Sequence, residues 1–109
     1  MTDWKTIPEL DEKIISALKS AVGVEPFYDM SKHFAEDLSN LCVAHGDARG
    51  RNNADAAREA AHAIKGAAAN IGLTRLSALA GNLEAGDQTD ADQLDAVFGS
   101  GISKLQHRD

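Results

Sequence analysis

The 109-residue chain is short of several things, and each shortage narrows the reading. It has one cysteine, Cys42, so no intramolecular disulfide can form, which fits a reducing compartment. No uninterrupted apolar run approaches the ~20 residues needed to span a bilayer. The opening Met1-Thr2-Asp3-Trp4-Lys5 carries no apolar signal-peptide core. A cytoplasmic location without a membrane partner is therefore expected. Aromatic residues make up 5% of the chain, and alanine is abundant, which favours closely packed helices over a core of large rings. Positive charge is scarce: 11 Lys and Arg face 17 Asp and Glu, for a net charge of −6. That balance argues against a general nucleic-acid binder. There is no strand-like alternation, no internal repeat and no linker. The length suits one domain over residues 1–109.

Helical periodicity is what remains. Thr6-Ile7-Pro8-Glu9 reads as a capping box, with Pro8 in the first turn of a helix carrying Leu10, Ile14, Ala17, Leu18 and Ala21 inward until Gly23. Trp4 is placed to fold over the end of the core. Pro26 restarts a helix whose buried stripe is Phe27, Met30, Phe34, Leu38, Leu41 and Cys42. Gly46 to Asn53 is a loop by composition, and Asn52, Asn53 or Asp55 caps the next helix. That helix ends near Ile71, with Gly72 as its C-cap and Thr74 as the N-cap of a helix bearing Leu73, Leu76, Leu79, Ala80 and Leu83. Gly81 within it lets a neighbouring helix approach, and Gly86 ends it. Asp90-x-x-Gln93 is a second capping box, starting a last helix with Leu94, Val97, Phe98, Ile102 and Leu105 inward. Gly99 and Gly101 are points where it could bend. His107-Arg108-Asp109 reads as a frayed tail. Five helices with short connections imply an all-α, antiparallel helical bundle.

The stretch from Ala61 to Gly72 organises the rest. Ala57, Ala60, Ala61, Ile64, Ala67, Ala68 and Ile71 recur at spacings of three and four and share one face. At about 100° per residue, His62 lies on the opposite, solvent side. Arg58 and Glu59 precede it by about one turn, Lys65 and Gly66 follow by about one, and Ala69 by two. An outward glycine inside a helix costs roughly 1 kcal/mol relative to alanine, with no packing reason to offset it. The functional reading is that another protein comes very close beside the imidazole. The bland reading is a solvated face.

His62-x-x-Lys65-Gly66-Ala67-Ala68, followed by Ile71-Gly72, Leu76, Leu83 and Glu84, closely resembles the histidine-containing phosphotransfer (HPt) family of bacterial phosphorelays. The likeness covers residues 61 to 84. It implies a four-helix bundle from the last four helices, with the additional short N-terminal helix capping it. It implies a phosphoryl group carried on His62 through Nε2, the ring nitrogen farther from the backbone. Lys65 would stabilise the charge of that group. Arg58, Glu59, Gly66 and Ala69 would form the docking face, with Glu59 alternatively an i,i+3 partner of His62. Glu84 matches a family position whose contact the sequence does not give.

The resemblance further implies that receiver domains of hybrid sensor kinases and response regulators are the partners. They would supply the phospho-aspartate and its Mg²⁺, so this chain needs no cofactor of its own. No Gly-x-x-x-x-Gly-Lys-Ser/Thr loop is present, so a phosphocarrier rather than a kinase is expected, and a monomer rather than a dimer. The dimerising domain of a sensor kinase typically has an acidic residue after its histidine and a proline soon after. Here Ala63 follows His62, and no proline comes after Pro26. The phosphorylated N-terminal domain of a chemotaxis kinase and a never-phosphorylated scaffold bundle are the other readings. His33, Cys42 and His45 lack the tight pair spacing of a metal site, so no metal is expected.

Overall fold

Five α-helices make up most of the computed structural model, which describes residues 3–106; the tail expectation at His107–Asp109 lies outside these. They are α1 (Glu12–Val22), α2 (Val24–Gly50), α3 (Ala54–Asn70), α4 (Thr74–Glu84) and α5 (Leu94–Gln106). Single 3₁₀ turns occupy Trp4–Thr6 and Ala91–Gln93, and no strand occurs among the described residues. Helices α2 to α5 pack in sequence, and α5 closes the bundle by returning to α2.

The predicted stripes largely meet in the core. On α3, Ala57, Ala60, Ala61, Ile64 and Ala68 are buried, with Ile71 just beyond, while Ala67 is half-buried. Leu73, Leu76, Leu79, Ala80 and Leu83 are all buried against them. On α5, Leu94, Val97 and Leu105 are buried and Phe98 and Ile102 partly so. The helix runs through both glycines without a break. Gly101 has a packing reason, since a Cβ there would lie 3.1 Å from Leu73 Cδ2. On α2 the buried set is Phe27, Ser31, Leu38, Cys42, His45 and Ala48, and Met30, Phe34 and Leu41 are only partly covered. Burial pushes the Cys42 thiol up to about 12, so it behaves as a small apolar side chain.

Four expectations about boundaries need correction. Helix α2 does not stop at Gly46: it continues through the loop-like composition to Gly50, because His45 and Ala48 extend its buried face. Only residues 51–53 remain as a connection, and Asn53 is the N-cap of α3, its Oδ1 accepting from Ala56 N–H at 3.1 Å. The first helix begins at Asp11, whose carboxylate accepts from Lys13 and Ile14 N–H, instead of at Thr6. Its buried residue is Ile15; Ala17 and Ala21 are exposed. Thr74 and Asp90 likewise make no cap bonds on their own helices, because both are bound elsewhere.

Where they are bound explains the N-terminal segment. Residues 4–11 run along α4 and α5 as a strap. Trp4 is buried and donates its indole N–H to Asp90 Oδ2 at 2.8 Å. Arg75 Nε donates to Ile7 O at 2.7 Å, Thr74 Oγ1 to Pro8 O at 2.9 Å, and Asp11 N–H to Gly72 O at 2.8 Å. Glu9 accepts from Ser100 Oγ at 2.5 Å and from Lys104 Nζ. The Lys104 ammonium and then the Ser100 hydroxyl hold the Glu9 carboxyl below its usual range. At the α3–α4 turn, Gly72 has φ +84°, which an L side chain resists, and Ile15 Cγ1 would sit 2.9 Å from any Cβ there. So α1 closes on a turn that only glycine fits.

Candidate functional site

Helix α3 turns its alanine stripe to the core and carries His62 on the other side, where the side chain is 70% exposed. The ring is nevertheless held. Its Nδ1 is hydrogen-bonded to Glu84 Oε2, at the last residue of α4. The other oxygen of the same carboxylate, Oε1, accepts from Lys65 Nζ at 2.5 Å. Glu84 is thus shared by the two residues one turn apart on α3. The Lys65 ammonium, and secondarily the His62 ring, hold the Glu84 carboxyl below its ordinary value. With Nδ1 engaged by a carboxylate, the neutral imidazole keeps its proton there and directs the lone pair of Nε2 outward.

Charge is nearly balanced within the trio, which lets three polar groups persist on a half-open surface. Lys65 is 41% exposed and Glu84 25%. Its arrangement places a nucleophilic nitrogen, a fixed tautomer and a cation within one turn of helix. That combination can accept, hold and release an electrophilic anion at Nε2.

Of the other predicted residues, Gly66 is exposed, and a Cβ there would meet nothing within 4 Å. Ala63 and Ala69 are exposed beside it, so the surface past the imidazole is low and flat. Glu59 is exposed on the same helix; the carboxylate that reaches the ring is Glu84 across the α3–α4 interface, not this i,i+3 neighbour. Arg58 points away from the trio toward Asp55 Oδ1 at 3.9 Å and lines an open cleft with Arg49, Asn53, Ala57, Leu83 and Gln88. Glu84 is the site residue whose role composition and periodicity did not reveal; only its place in the family pattern marked it. His33, Cys42 and His45 form no cluster: among the described residues no group of three or more metal-ligating side chains comes together. No helix among the described residues is long and apolar enough to cross a membrane.

Comparison with known proteins adds one result. The family model described as the Hpt domain matches residues 24–107, from the first residue of α2 through α5. The strap and α1 lie outside that span. Neither the curated proteins nor the solved structures compared with the chain gave a match. With its four-helix core inside the matched region, this chain belongs to the Hpt domain family of histidine phosphotransfer modules.

Proposed function

We propose that the chain works in a two-component phosphorelay, accepting a phosphoryl group on His62 from a receiver-domain aspartate and passing it to a second receiver. The observation that carries this reading is the Glu84 carboxylate on His62 Nδ1, which leaves Nε2 outward on an exposed side chain. In the forward step Nε2 attacks phosphorus, the bond to the aspartyl oxygen breaks, and the aspartate leaves as carboxylate. The ring gains positive charge as the N–P bond forms, and Glu84 opposite Nδ1–H stabilises it. Lys65 would turn its ammonium to the phosphoryl oxygens. Phosphoryl transfer is mostly positioning and charge stabilisation, so this small apparatus suffices when the receiver brings Mg²⁺ and the acidic pocket. Gly66 and Ala69 would form the floor on which the receiver rests, with Arg58 and Glu59 at its edge. A cytoplasmic monomer is the corresponding form.

The test incubates the protein with a phosphorylated receiver domain and Mg²⁺, beside His62→Gln. The expected result is acid-labile, base-stable label on the wild type and none on the variant. Label on His62→Gln would move the site elsewhere. No label from any of a panel of receivers, with the protein shown to be folded, would favour a scaffold role, in which His62→Ala leaves partner affinity unchanged.

A further inference from the structure

Helix α4 offers Lys65 more than a counter-ion. Ser77, Gly81 and Glu84 are spaced four and three apart, so they share the face of α4 that looks onto Lys65. Ser77 Oγ donates to the Lys65 carbonyl oxygen at 3.0 Å, which fixes the height of that residue against α4. One turn on, a Cβ at Gly81 would lie 3.4 Å from Lys65 Cδ, its single neighbour within 4 Å. Nearly another turn on, Glu84 Oε1 takes the ammonium at 2.5 Å. Backbone, stem and head of one lysine are held by successive positions of the neighbouring helix.

Glycine is a poor residue for the middle of a helix, and Gly81 has no positive φ to call for it. An added methyl group would also fit at ordinary contact distance. What the position excludes is a longer side chain, which would occupy the space where the lysine stem lies. A lysine has a long, flexible stem, so its charged end is placed only if the stem is guided.

Resting on the phosphotransfer reading above, we propose that Gly81, backed by Ser77, is a positioning residue: it keeps open the groove that sets the Lys65 ammonium on Glu84 beside His62. From there the ammonium reaches a phosphoryl group on Nε2 by a swing of the stem, without refolding of either helix.

The test has two arms. In the first, the side-chain ammonium signal of Lys65 is followed by NMR without any phosphoryl donor. Glu84→Gln should shift this signal from its wild-type position. Gly81→Ala should retain the wild-type position, whereas Gly81→Leu should move it to that of the unpaired lysine. In the second arm, transfer from a phosphorylated receiver should be near normal for Gly81→Ala. It should be slowed several-fold for Gly81→Leu, to the level of Lys65→Ala. In the Lys65→Ala background Gly81→Leu should add nothing, because residues acting through one another are not additive. Gly81→Gln, one atom longer and polar, serves if the leucine variant does not fold. An unmoved Lys65 signal in Gly81→Leu, or the same slowing in the absence of Lys65, would overturn the proposal. A wild-type protein that takes no label would remove the phosphotransfer reading, while the NMR arm still decides whether Gly81 places Lys65.

Discussion

On the proposed phosphotransfer, the chemistry at His62 turns on which ring nitrogen carries the proton, and the Glu84 carboxylate at Nδ1 favours the proton there. A carboxylate on Nδ1 is a charge-assisted acceptor, stronger than a neutral one. Glu84→Gln should keep the tautomer through its amide oxygen but lose the charge, slowing transfer by roughly tenfold or less. Glu84→Ala frees both Lys65 and the ring, and should cost more than the glutamine variant in single-turnover rates. Equal rates for the two would mean that Glu84 acts through its charge alone. Gly66→Glu makes a different demand. Nothing lies within 4 Å of a Cβ there, so the variant should fold with an unchanged melting temperature. Transfer should nevertheless be strongly slowed, because the added side chain stands on the proposed docking floor; full rates would remove the docking-floor argument.

Among the elements, α3 depends on its start. Asn53→Ala removes the Oδ1 cap on Ala56 N–H and should cost about 1 kcal/mol, read as a fall in melting temperature of about 4–8 °C. This helix was the most legible in the sequence, because an alanine-rich stripe at spacings of three and four has one interpretation. Elsewhere tertiary partners overrode local signals. Thr6 and Glu9 have the spacing of a capping box, yet Thr6 Oγ1 donates to Asp3 O and Glu9 reaches α5. The Gly46–Gly50 stretch has loop composition, yet burial of Ala48 within it and of His45 before it keeps it helical. The candidate site was half legible as a constellation of residues. His62, Lys65 and Gly66 follow from one helix and a family pattern. The grip of Glu84 joins residues 22 apart in sequence on two helices, and periodicity within either helix is silent about which side chains meet.

For the molecule as a whole, pH separates two kinds of support. His45 is 2% exposed and its Nε2 is buried without a hydrogen-bond partner among the described residues. Burial, and then the charge of Arg49, lower its pKa from 6.5, while Asp95 opposes them. Below 6.5 the unfolded chain therefore takes up a proton that the folded chain resists, so stability rises with pH in that window. The His45 contribution is complete above 6.5 and lost as pH falls from there toward the folded-state value. The carboxyls of Glu9 and Glu84, lowered from 4.5, lose theirs only below that value, as pH falls through their folded-state values. Thermal melts from pH 7.5 to 5 should show a decline that His45→Leu flattens; an equal decline in the variant would assign it to other groups. The strap adds a practical consequence. Trp4 is the chain's only tryptophan, and its indole N–H ends on an aspartate 86 positions away. Its fluorescence thus reports closure of the N-terminal segment from a place none of the site substitutions touches. Emission that matches the wild type would certify a folded molecule in each variant, so a lost transfer can be assigned to chemistry, with no added dye or label.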